Sequence, residues 1–108
     1  MGKSKKSSCF IYKPTQTGKF PKDYGFRDQI RRAAVSIPSN ISEGDELSTN
    51  KQAINFFYFA KGSAAEVLTQ AIIAKEIGYI KTEEFVHIDE ECNAISSMLT
   101  KLIQARKK

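Results

Sequence analysis

Apolar residues recur along this chain at helical spacing, and no stretch shows the alternation of a strand. Phe26, Ile30, Ala33, Ile37 and Ile41 stand 4, 3, 4 and 4 residues apart. That spacing predicts a helix over residues 23–43, with Asp23 as N-cap and Gly44 as the residue that ends it. Pro38 lies inside the pattern. An interior proline costs a helix about 3 kcal/mol, so packing must offset it, with a kink at Pro38 or a break at Ile37. Thr49 and Gln52 fit a capping box and open a second helix, to about residue 77, closed by Gly78. Ile54, Phe56, Phe57, Tyr58, Phe59 and Ala60 leave its first turns almost no polar face. A helix apolar all round is buried on several sides. Gly62, Ser63, Ala64 and Ala65 follow as a small-residue patch where another helix can approach. Thr82 is read as the cap of a third helix over residues 82–106. Its stripe of Phe85, Ile88, Cys92, Ile95, Leu99 and Leu102 is spaced 3, 4, 3, 4 and 3, a heptad seam.

Residues 1–22 lack such periodicity and read as a basic N-terminal arm. Phe10-Ile11-Tyr12 is its only apolar cluster, compatible with one helical turn. Residues 23–108 then form one all-α domain of antiparallel helices joined by short loops. The second helix carries more apolar surface than two neighbours cover. A second copy of the chain is the expected cover, with Phe56, Phe57, Phe59, Gly62 and Ser63 as candidate packing residues.

Charge adds a second theme. The net +5 is uneven: residues 1–32 carry +7, residues 33–100 carry −6, and residues 101–108 carry +4. Basic ends point either to an anionic partner such as nucleic acid or to solvated termini. Lys19, Lys22, Arg27, Arg31 and Arg32 are the candidate phosphate contacts; the alternative for Arg31 or Arg32 is a structural pair with Glu43, Glu66 or another acid between helices or subunits. The polar row Gln29, Arg32, Ser36 and Asn40 is read either as buried hydrogen bonds or as the lining of a subunit seam.

The catalytic reading is weak. The single His87 has no Cys or His at ligand spacing, and no phosphate-binding loop is present. Cys92 sits in an apolar stripe and reads as a buried thiol. The chain is therefore expected to be non-enzymatic, without metal or cofactor. No apolar run approaches the ~20 residues of a membrane span, and residues 9–12 are too short for the apolar core of a signal peptide. A cytoplasmic location is expected.

Several motifs together carry a family resemblance. They are Phe20-Pro21, Tyr24-Gly25-Phe26, the run from Asp28 through Ile41 with Glu43-Gly44, Ala60-Lys61-Gly62-Ser63 with Glu66, and Gly78-Tyr79-Ile80. Over residues 20–103 the chain resembles the four-helix-bundle proteins encoded by intervening sequences of bacterial large-subunit rRNA genes. Relatives of that family include the accessory protein of diversity-generating retroelements. The resemblance implies an antiparallel up-down four-helix bundle assembled as a ring, with a homopentamer favoured. For the retroelement branch at least it implies a basic surface used for nucleic acid and a reverse-transcriptase partner, while for the rRNA branch it implies no firm activity; taken with the +7 of residues 1–32 it favours RNA over DNA as ligand. The alternative is an assembly module with no nucleic-acid affinity. The chain departs from the family pattern before Phe20, where Phe10-Ile11-Tyr12 looks like the last turn of a shortened, vestigial first helix.

Overall fold

The computed structural model describes residues 10–16, 22–47 and 49–107. Three long helices follow one another, α1 (Tyr24–Glu46), α2 (Asn50–Glu76) and α3 (Thr82–Arg106). Residues 10–12 are helical and run into a 3₁₀ turn at Pro14–Gln16. The molecule is a rod of 46 × 21 × 21 Å.

Capping chemistry sets most helix ends where the sequence predicts them. Asp23 accepts a hydrogen bond from the Phe26 N–H (3.2 Å), and Thr49 accepts one from the Gln52 N–H (3.3 Å). Gly78 takes φ +82° beyond the end of α2. Its N–H bonds the Lys75 carbonyl (3.1 Å), and the Tyr79 N–H bonds the Ala74 carbonyl (2.8 Å). This is a Schellman closure, in which a left-handed residue satisfies the last carbonyls of the helix. The third start differs from expectation. Lys81, not Thr82, is the N-cap of α3, and the Glu84 carboxylate accepts from the Lys81 N–H (2.9 Å).

α1 passes through Pro38 as the main sequence reading has it, with no break at Ile37, but its end differs from expectation: it continues to Glu46, with Gly44 inside it. Gly44 does not terminate the helix. It is buried where α1 meets α2, and a Cβ there would lie 2.6 Å from Phe57 Cε1 and 3.2 Å from the Ala53 carbonyl oxygen. The fully buried Ala34 and Ile37 flank the proline turn. Their burial offsets the helix bond that Pro38 cannot make.

α2 is the centre of the molecule. It packs along α1 on one side and α3 on the other, whereas α1 and α3 scarcely touch. Its buried stripe is Ala53, Phe57, Ala60, Ala64, Val67, Ala71 and Ala74, a heptad built mainly of alanine. Short side chains let two neighbours come close to one axis. Close packing therefore runs through these alanines, and the expectation placed on Gly62 is not met within the chain, since a Cβ at Gly62 would meet nothing within 4 Å. α3 contributes Ile88, Cys92, Ile95, Leu99 and Ile103. Phe10 and Ile11 are buried in the same core. Among the described residues no helix is long and apolar enough to cross a membrane.

Candidate functional site

The charged residues at the start of α1 do not act alike. Arg31 is a structural residue. Its Nε donates to the buried Thr15 Oγ1 (2.8 Å), and its guanidinium lies 4.8 Å from the centre of the Tyr12 ring. Thr15 Oγ1 is itself within 2.9 Å of the Ile11 carbonyl and 3.0 Å of the Tyr12 carbonyl. These contacts fasten the N-terminal turn onto α1. Arg31→Ala is expected to lower stability by about 1.5–3 kcal/mol, the range for a hydrogen bond to a charged group. Arg32→Ala, at an exposed position, should change it by no more than about 0.5 kcal/mol. Urea unfolding of the two variants checks the contrast.

Arg27 makes the one ion pair among the described residues, to Asp28 at 3.2 Å, and lies 4.8 Å from the centre of the Tyr24 ring. An exposed pair of this kind contributes little stability. Lys22 and Arg32 are exposed, and among the described residues no carboxylate pairs with either. Lys19 lies outside the described residues. The predicted basic patch thus divides: Lys22, just before α1, and Arg32 are exposed, Arg27 is half-buried beside Tyr24 and Asp28, and Arg31 is committed to the fold.

The polar row splits in the same way. Ser36 and Ser63 share a hydrogen bond of 2.8 Å between α1 and α2, and Asn40 Nδ2 donates to the Ser36 carbonyl (2.8 Å) and Oγ (2.9 Å). Gln29 and Arg32 are exposed. On α2 the buried Oε1 of Gln70 has no donor among the described residues. On the far side of α2, Lys61 Nζ donates to Thr100 Oγ1 (2.8 Å), tying α2 to α3.

The candidate packing residues also separate. Phe57 is fully buried, with the Arg106 guanidinium 5.9 Å from its ring centre. Phe56 is half-buried and meets Phe59 edge-on at 5.8 Å between ring centres. Phe59 is 60% exposed, and Tyr58, Ile72, Ile73 and Ile77 are exposed with it. Within the single chain α2 therefore buries one stripe and leaves its outward face open, in line with the surplus apolar surface read from the sequence. That face carries Gly62 and Ala65 between its large residues, with Glu66 and Thr69 as polar interruptions.

A joint at the start of α1 was not singled out from sequence. The Tyr79 hydroxyl donates to Asp23 Oδ2 (2.9 Å), and the Tyr79 ring meets Phe26 edge-on at 5.9 Å. The hydrogen bond to Asp23 raises the Tyr79 pKa above its ordinary value, with burial and the Asp23 charge adding to it. Tyr24 stands beside this joint and is 64% exposed. Its phase was the available signal, because it lies roughly 200° around the helix from Phe26. Cys92 is buried, and burial first, then the Asp89 and Glu91 charges, push its pKa to about 12. It is a protonated thiol at neutral pH. Among the described residues no cluster of His, Cys, Asp and Glu is placed to hold a metal ion.

Comparison with known proteins places these features in context. The family model for the 23S rRNA-intervening sequence protein matches residues 1–101. The match begins at residue 1 and so takes in the arm that sequence reading set apart. The fold is similar to the crystal structure of a protein of unknown function from the S23 ribosomal protein family of Bacteroides thetaiotaomicron. The two share 25% identity with a TM-score of 0.85, over 94% of this chain and 95% of the other. Among curated proteins nothing matches the chain.

Proposed function

We propose, because the chain belongs to the 23S rRNA-intervening sequence protein family, that it is a self-assembling helical-bundle accessory protein that works by binding and not by catalysis. The observation that carries this reading is the outward face of α2. Tyr58, Phe59, Ile72, Ile73 and Ile77 are all exposed along it. Large exposed apolar side chains grouped at both ends of one helix face point to a protein contact, and Gly62 and Ala65 between them would let a partner helix settle close. A second copy of the chain is the partner proposed, in a closed ring of the kind the family resemblance implies, each subunit a four-helix bundle.

Sedimentation velocity at micromolar concentration tests this. The wild type should sediment as one discrete oligomer. Phe59→Glu combined with Ile73→Glu should convert it to a folded monomer with unchanged helical circular dichroism. A wild type that stays monomeric would remove the reading.

Nucleic-acid binding is the accompanying role, supported by the set Lys22, Arg27 and Arg32. Lys22 and Arg32 are exposed with no carboxylate partner among the described residues, Arg27 can exchange its Asp28 pair for a phosphate, and RNA is the proposed ligand. Such binding should weaken steeply with salt, by about one unit of log–log slope for each phosphate neutralised.

A further inference from the structure

Among the described residues Tyr24 is the most exposed large apolar residue, at 64%. The fold does not require it there, because the core contacts at this end of α1 are made by Phe26, Ile30 and Tyr79. Yet it sits on a well-braced base. Asp23 is held by the Phe26 N–H and the Tyr79 hydroxyl, and Tyr79 is held by the Schellman closure at Gly78. Three segments therefore fix the backbone from which the ring projects.

The surroundings define a ligand chemistry. The Arg27 guanidinium lies 4.8 Å from the ring centre and covers at most one face. Beside the ring is an open hollow lined by Lys22, Asp23, Tyr24, Gly25 and Tyr79. Gly25 leaves that wall bare: a Cβ there would meet nothing within 4 Å. Both Asp23 oxygens already accept hydrogen bonds, and Asp28 is paired with Arg27. The groups left to meet a ligand are a flat aromatic ring and the Lys22 ammonium, with the Arg27 guanidinium able to exchange its Asp28 pair for a phosphate. A flat π-surface joined to an anionic backbone fits that set. A base inside a duplex does not, because its faces are already stacked.

We propose that Tyr24 is a stacking platform for an unpaired nucleobase of single-stranded RNA, with Lys22 and Arg27 holding the flanking phosphates. This rests on the nucleic-acid reading above and makes it specific to unpaired strands. Base–aromatic stacking is tolerant of sequence, since every base has a π-face.

The test is fluorescence polarisation with labelled single-stranded RNA of mixed sequence and a blunt RNA duplex of equal length, at low and at about physiological salt. Tyr24→Ala is expected to weaken single-strand binding by roughly 5- to 100-fold and to leave duplex binding unchanged. Tyr24→Trp should retain the single-strand affinity. Thermal unfolding monitors the fold, which the loss of an exposed ring should spare. If Tyr24→Ala binds single strands as the wild type does, while Lys22→Glu with Arg32→Glu loses affinity, the contact is with phosphates alone. The platform then falls and the nucleic-acid reading stands. Wild type that binds neither probe at low salt overturns both.

Discussion

Phe57→Ala is expected to destabilise the protein by about 3–5 kcal/mol, the range for truncating a buried aromatic. Domains of this kind are stable by only about 5–15 kcal/mol, so the change removes a large share of the total. The reason is position. Phe57 is fully exposure-free at the end of the rod where Gly44 and Ala53 approach it and Arg106 lies against its ring. Backbone and alanine cannot move in to fill the space left behind. Urea unfolding should show a lower midpoint at unchanged slope. A loss below about 1 kcal/mol would mean that the end of the rod collapses freely, contrary to the packing described.

The second expectation concerns the other side of the same contact. Gly44→Leu should cost about 1–3 kcal/mol by overpacking. Helix propensity alone argues the opposite, because glycine inside a helix is about 1 kcal/mol worse than alanine and leucine is nearly as good as alanine. The 2.6 Å approach to Phe57 decides the sign. The Phe57 ring could yield only by leaving a closed site, and the Ala53 carbonyl is backbone. In a Phe57→Ala background the sign should reverse, since the leucine side chain then enters the space the ring vacated. Residues in direct contact couple non-additively, so a four-variant cycle measured by urea unfolding reads this directly. Additive effects would show that Gly44 and Phe57 do not share the space.

What was legible in the sequence follows the range of the physics involved. The N-caps Asp23 and Thr49 and the left-handed Gly78 act within a few residues, and each does what its local sequence predicts. Gly44 is a similar residue type, but its role depends on a ring thirteen positions later in another helix. The run Phe56-Phe57-Tyr58-Phe59 was ambiguous for a related reason. Apolar on every side, it carries no phase of its own, and the alanines at 53, 60, 64, 71 and 74 set which ring turns inward. The basic cluster shows the same limit. Arg31 and Arg32 are adjacent and chemically identical, and only the returning N-terminal turn with Thr15 and Tyr12 separates a structural arginine from an exposed one.

The near absence of contact between α1 and α3 bears on how the chain finds its fold. Each main helix–helix interface joins elements consecutive in sequence, so most native contacts lie within one of two helical hairpins. Relative contact order is then low, and helical domains of low contact order reach the native state in microseconds to milliseconds. α2 belongs to both hairpins. Either can form first and offer the same alanine stripe as the template on which the other docks.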